Sequence, residues 1–152
     1  MKRSEINAFI AEAKEFFASM QFHLPPWAFW SPQEWRGRKE EAERIINAKL
    51  GWDVTDFGNG PFLDRGLLLF TLRNGDPGDT IRPYAEKIMI VRENQETPFH
   101  FHWNKTEDII NRGGGRLVLE LYRSNEDESF SDEPVTVAVD AIDRTVEAGA
   151  SV

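Results

Sequence analysis

His100 and His102 are two of the three histidines in this 152-residue chain, and one residue separates them. If the segment is a strand, both imidazoles point to one face, because side chains alternate along a strand. Glu107 follows five residues after His102, within reach of the same face after a tight turn. Two imidazoles and a carboxylate suit a divalent ion such as Mn, Fe, Co, Ni or Zn. The spacing favours a metal site, although an isolated surface His-x-His more often binds nothing.

The elements before this stretch are predicted to be helical. Apolar residues recur at helical spacing after Ser4, a plausible N-cap, and this helix ends before Pro25. Ser31-Pro32-Gln33-Glu34 combines an N-cap serine, a proline at the first helical position and a glutamate three residues after the cap. The helix that it opens breaks at Gly37 and continues over Glu40–Leu50, with Gly51 as the expected C-terminal cap.

Strand patterns replace helical ones after Leu50. The predicted strands are Trp52–Phe57, Gly66–Arg73, Glu86–Glu93, the stretch around His100, Arg116–Arg123 and Pro134–Val139. Residues Ser124 to Glu133 are predicted to form an acidic loop. Helices followed by short strands favour an α+β fold, mainly β: an antiparallel sandwich or barrel with a helical N-terminal layer.

Four aromatic residues, Trp27, Phe29, Trp30 and Trp35, lie close together in the sequence. Aromatic faces often bind sugars, but such clusters more often belong to a core, and we expect the core arrangement here.

Composition narrows the classes of partner. A net charge of −8 argues against nucleic acid and anionic membranes as partners. The chain has no cysteine, which fits a reducing cytoplasm and excludes thiolate metal sites. No apolar run approaches the roughly 20 residues that span a bilayer. We therefore expect a cytoplasmic protein; the sign of the charge says little about a small neutral substrate.

The spacing around the histidines resembles the first motif of the cupin family. That motif is a glycine, five residues, His-x-His, three or four residues, glutamate, six residues and glycine. His100, His102, Glu107 and Gly114 fit it, and Asn94 stands where the motif has its first glycine. Asparagine tolerates the positive φ that this glycine supplies.

A wider set of segments is similar to the D-lyxose isomerase family. They include Gly51-Trp52-Asp53, the strand from Leu67 to Arg73, Glu86 to Glu93, and the run from Lys105 to Gly115. The resemblance implies a helical extension over residues 1–51 and a cupin barrel over residues 52–152, with the first motif at 94–114. It also implies a divalent metal, usually Mn²⁺, and a homodimer is expected by analogy with other cupins.

For activity, the resemblance implies interconversion of D-lyxose and D-xylulose, with D-mannose and D-fructose as a related pair. The metal would stabilise a cis-enediolate while a base moves a proton between C2 and C1. Lys105 is the local candidate for polarising a substrate oxygen or carrying a proton. From the residues alone, an exposed lysine in a turn is an equally good interpretation.

The family has a further metal-binding histidine in a second motif, and no histidine follows Gly114 here. We therefore expect the second motif beyond Val152 and a barrel that this chain does not close. Two alternatives remain open: another metal-dependent cupin enzyme, such as an iron dioxygenase, or a non-catalytic cupin that binds sugar or dimerises. The run from Lys105 to Gly115 favours the isomerase, because cupin oxygenases do not need it.

Overall fold

The structure is a computed structural model that describes residues 1–58, 60–76, 78, 81 and 83–152. The chain forms two compact units, Met1–Phe99 and His100–Val152. The predicted α+β class is confirmed, since helices precede antiparallel strands. The division predicted after residue 51 stays a prediction.

The helices all lie in the first unit of the described chain. They are α1 at Arg3–Ser19, a short 3-10 helix at Pro26–Phe29, α2 at Pro32–Gly37 and α3 at Lys39–Asn47. In the described residues, no helix is both long and apolar enough to cross a membrane.

The start of α1 differs from the prediction. Ser4 lies inside the helix, and the N-cap is Lys2. The backbone N–H of Lys2 donates to the carboxylate of Glu5 at 2.6 Å, so an acidic side chain satisfies a backbone donor at this end.

The start of α2 was predicted correctly. Ser31 Oγ accepts from the Glu34 N–H at 3.3 Å, and the Glu34 carboxylate accepts from the Ser31 N–H at 2.7 Å. These hydrogen bonds, the backbone one first, lower the pKa of Glu34. The expected break at Gly37 is also present, because α2 ends there.

The expected role of Gly51 at the end of α3 is wrong. The helix ends at Asn47, with Ala48 as its C-cap, and Lys49 takes the positive φ of 54°. Gly51 instead begins the first strand with φ 114°. The turn after α3 is thus made by a lysine, a residue type that sequence rules do not associate with this conformation.

The first unit contains a three-stranded antiparallel sheet. Its strands are β1 at Gly51–Thr55, β2 at Leu67–Asn74 and β3 at Ala85–Ile90, with β2 in the centre. The register between β2 and β3 shifts between Thr71 and Arg73. All three strands were predicted, with ends that differ by up to three residues.

The second unit contains two small antiparallel sheets within the described chain. Strands β4 at Arg123–Ser124 and β5 at Phe130–Ser131 form one sheet. Strands β6 at Val135–Val139 and β7 at Ile142–Val146 form the other. The hairpin formed by β4 and β5 lies in the predicted acidic loop except for Arg123, and β7 was not predicted.

The strand predicted over Arg116–Arg123 is paired only in its second half. Leu119 exchanges backbone hydrogen bonds with Val152, Leu121 donates to Ala150 and accepts from Gly149, and Glu120 forms an isolated antiparallel bridge with Ser151 between them. Arg123 lies in β4. The alternation of burial is nevertheless present, since Leu117 and Leu119 are half-buried and Val118 is 67% exposed. Hydrophobic alternation therefore indicated which side chains face inward, but not how far the backbone pairing extends.

The core of the first unit lies between α1 and the central strand. Phe70 on β2 is fully buried, and its ring lies 4.9 Å from the rings of both Trp27 and Trp52. Phe17 on α1 stacks on Trp52 at 6.2 Å. Trp27 thus packs against the core, as expected for the aromatic cluster, whereas Phe29 is 53% exposed.

Candidate metal centre

The stretch that carries the two histidines is not a strand. His100 and His102 lie outside regular secondary structure, and the described residues between β3 and β4 contain no strand. The prediction that the two imidazoles share the face of a strand is therefore wrong, because the segment does not form a strand. Asn94, upstream in the first unit, has a φ of 58°, the positive value expected at that position of the motif.

The structure nevertheless brings His100, His102 and Glu107 together. One ligand atom from each of these side chains lies within 4.8 Å of the other two. The imidazole centroids are 5.0 Å apart at 71°, and His102 Nε2 lies 3.3 Å from Glu107 Oε1. All three residues are exposed and belong to the second unit.

Lys105 contacts the same carboxylate oxygen. Its Nζ donates to Glu107 Oε1 at 2.5 Å, and its side chain is 47% exposed. The hydrogen bond from Lys105 is the main reason why the pKa of Glu107 lies below its usual range, and partial burial opposes it. The charges of Lys105, His102 and His100 add to the lowering. Glu107 is thus held as a carboxylate, the form that binds metal.

A turn maintained by Asn111 follows these residues. Its Oδ1 accepts from the Gly113 N–H at 3.0 Å, and its Nδ2 donates to the Gly115 carbonyl at 2.9 Å. Gly113 and Gly114 have φ of 129° and 90°, which L side chains rarely adopt. The sequence prediction used the glycines and missed Asn111, although asparagine side chains are known to accept hydrogen bonds from the backbone two residues further on in turns.

The aromatic residues that alternate with the histidines pair with each other. The rings of Phe101 and Trp103 meet edge to face at 4.9 Å, and the side chains are 42% and 70% exposed. This pair gives the segment an exposed apolar surface next to the donor set.

The donor set fits a divalent cation. Two imidazoles and one carboxylate supply neutral and anionic ligands, with a combined charge of −1 when both histidines are neutral. This combination suits Mn, Fe, Co, Ni and Zn better than Mg or Ca, which prefer oxygen ligands alone. Exposure of the three side chains leaves room for further ligands.

We expect Lys105→Met to raise the pKa of Glu107, since its main stabilising hydrogen bond is removed. The carboxylate then protonates at a higher pH than in the parent protein. An NMR titration of the Glu107 side-chain carboxyl carbon measures this shift in metal-free protein. Lys39→Met, which removes an exposed lysine from α3, should leave the midpoint unchanged. An unchanged midpoint in Lys105→Met would contradict the assigned hydrogen bond.

A family model and two curated relatives point to the same family. A family model described as D-lyxose isomerase matches residues 1–152. The chain is 49% identical over 143 residues to a D-lyxose/D-mannose isomerase of Escherichia coli O157:H7, covering 92% of this chain and 63% of that protein. It is 47% identical over 152 residues to a protein of the same name from Serratia proteamaculans, covering 98% of this chain and 67% of that protein. The chain thus spans about two thirds of the length of these relatives.

Proposed function

Because the chain belongs to the D-lyxose isomerase family, we propose that it acts in a divalent-metal-dependent isomerisation of monosaccharides. The substrates are D-lyxose and D-xylulose, with D-mannose and D-fructose as the second aldose–ketose pair. The convergence of His100, His102 and Glu107 within 4.8 Å is the observation that carries this proposal.

His100, His102 and Glu107 are the residues that would hold the cation. When bound, the ion supplies positive charge that stabilises the negative charge developing on the sugar oxygens. A glutamate is ionised at neutral pH, and the lowered pKa of Glu107 extends the pH range of its carboxylate form to more acidic conditions.

The reaction removes a proton from C2 of the sugar and returns a proton to C1, so it needs groups that hold and release protons. Lys105 is the catalytic residue proposed here, because its ammonium lies within 2.5 Å of Glu107. From that position it donates a hydrogen bond to a substrate oxygen near C1 or C2 and polarises the carbonyl.

Other features of the proposal come from the family resemblance and the composition. Manganese is the proposed ion, a homodimer the proposed assembly and the cytoplasm the proposed location. The proposed domain organisation is a helical extension over residues 1–51 and a cupin barrel over residues 52–152.

We expect formation of D-xylulose from D-lyxose when Mn²⁺ is added to the metal-free chain, and loss of that activity with EDTA. The Serratia relative serves as the positive control for the assay. A ketose assay after a timed incubation gives the rate, and D-mannose is tested in parallel. Absence of turnover of both sugars with Mn, Co, Ni, Zn and Fe would contradict the proposal.

An iron-dependent oxygenase is the second candidate. Non-haem Fe(II) oxygenases typically bind iron through two histidines and one carboxylate and leave other coordination positions open. His100, His102 and Glu107, the triad of exposed ligands, have this composition. Oxygen consumption with Fe²⁺ that disappears when Mn²⁺ replaces iron would favour this candidate over the isomerase.

A further inference from the structure

The first unit contains a cleft of about 330 Å³. This volume falls within the roughly 300–1,000 Å³ of small-molecule sites. The cleft lies among α1, the 3-10 helix, α2 and the start of β1. Its lining includes Asn7, Lys14, Trp27, Trp30, Trp35 and Trp52.

Three tryptophans form an aromatic wall on one side of this cleft. Trp30 and Trp35 meet edge to face at 5.1 Å, and Trp27 and Trp35 do so at 6.5 Å. The other contact of Trp27 is with buried Phe70, which anchors the wall to the core. All three side chains are half-buried, so part of each indole faces solvent.

The indole N–H groups of the wall are available to a ligand. Trp52 Nε1 donates to the Ala28 carbonyl at 3.1 Å and is occupied. Trp27, Trp30 and Trp35 make no such hydrogen bond to any described residue. None of these groups is sealed from solvent, since in the described part of the chain only Arg65 Nε is buried without a partner. The wall thus combines apolar surface with unused donors.

Two polar side chains complete the cleft. Lys14 is half-buried, and its Nζ lies 5.1 Å from the ring centre of Phe29 and 5.9 Å from that of Trp52. Asn7 contributes an amide, which both donates and accepts. No carboxylate is among the described residues that line the cleft. The site is therefore rich in donors and carries a single positive charge.

We propose that this cleft binds a monosaccharide in its ring form, through lining residues that include none of His100, His102 and Glu107. A sugar ring has an apolar C–H face, which packs on indole, and hydroxyl oxygens at its rim, which accept from N–H and ammonium donors. A purely apolar ligand would leave these donors unpaired, and one lysine is a weak site for a phosphate. Every lining residue lies in the Met1–Phe99 unit, whereas the triad lies in the other unit.

The test is NMR titration of the five indole N–H signals in metal-free protein with methyl α-D-mannopyranoside. This glycoside is locked as a ring and cannot be isomerised. We expect saturable shifts of the Trp27, Trp30 and Trp35 signals. The Trp52 signal should move less because its N–H is bonded to Ala28. Trp103, which flanks the triad, should not move.

Substitutions in the cleft test whether the shifts come from binding there or from a general effect on folding. Trp35→Leu and, independently, Lys14→Met should each raise the dissociation constant by about tenfold or more. His100→Ala should leave it unchanged, so the result does not depend on the proposed isomerase activity. Shifts that stay linear with sugar, shifts at Trp103 alone, or a dissociation constant equal to that of the parent protein in both cleft variants would overturn the assignment.

Discussion

Replacement of His102 by alanine is expected to weaken Mn²⁺ binding by at least about 100-fold. Loss of a group that merely orients a ligand costs about 10–100-fold in affinity, so loss of a ligand should cost at least as much. Among the described residues, His100, His102 and Glu107 are the three side chains that converge as metal ligands, so His102 is one third of the protein's ligand set. Its Nε2 lies 3.3 Å from Glu107 Oε1. Isothermal titration calorimetry on metal-free protein measures the change, and the rate of D-xylulose formation should fall with it.

His23→Ala is the matched control for this experiment. His23 is the third histidine, is exposed, and lies in the first unit. The substitution therefore removes an imidazole that is not one of the three converging ligands, and Mn²⁺ affinity should stay at the parent value. If His102→Ala bound Mn²⁺ as tightly as His23→Ala does, the assignment of His102 as a ligand would be wrong.

Substitution of Phe70 by alanine is expected to destabilise the first unit by about 3–5 kcal/mol. Phe70 has no exposed surface, and its ring contacts Trp27 and Trp52. Truncation removes these contacts and leaves a cavity that neighbouring rings fill only in part. Urea unfolding followed by tryptophan fluorescence measures the change in the free energy of unfolding. Four of the five tryptophans lie in this unit, so the signal reports mainly on it.

Phe16→Ala provides the comparison for the same chemical change. Phe16 lies on α1 and is 41% exposed, so its truncation removes less buried surface than truncation of Phe70 does. We therefore expect a clearly smaller destabilisation than for Phe70→Ala. Equal effects of the two substitutions would show that Phe70 is not the centre of the core.

Local signals in the sequence predicted the elements whose cause is local. The start of α2 depends on Ser31 and Glu34, which satisfy each other's backbone N–H groups, and it was predicted correctly. The start of α1 was not, because Glu5 caps through a carboxylate that reaches back to Lys2. This pairing uses no recognised N-cap residue type, so a search for serine or aspartate selects the wrong position.

Strand pairing depends on partners far away in the chain, and here the sequence was less informative. Residues 116–123 have a strand's alternation throughout, yet backbone pairing with residues 149–152 covers only residues 119–121, and the alternation does not reveal that limit. Residues 142–146 pair with β6 without a marked apolar alternation, since four of the five are exposed. Register and partner choice follow from the packing of whole elements, which no short pattern encodes.

The sequence predicted some features of the candidate site and missed others. The identity of the three converging residues follows from donor type and spacing, and the structure places their ligand atoms close together. The reason given for their convergence, a shared strand face, does not apply. The interaction of Lys105 with Glu107 depends on side-chain rotamers, which spacing leaves undetermined.

The central position of β2 has a consequence for the dynamics of the first unit. Its residues from Leu68 to Thr71 are paired with β1 on one side and β3 on the other. Backbone amides in such a strand exchange with solvent deuterium only when the sheet itself opens, whereas amides without a ladder partner exchange through smaller fluctuations. The slowest-exchanging protons of this unit therefore belong to the strand that carries Phe70. The exchange rates of these amides give the free energy of opening of β2, whose Phe70 packs against Trp27 of the aromatic wall.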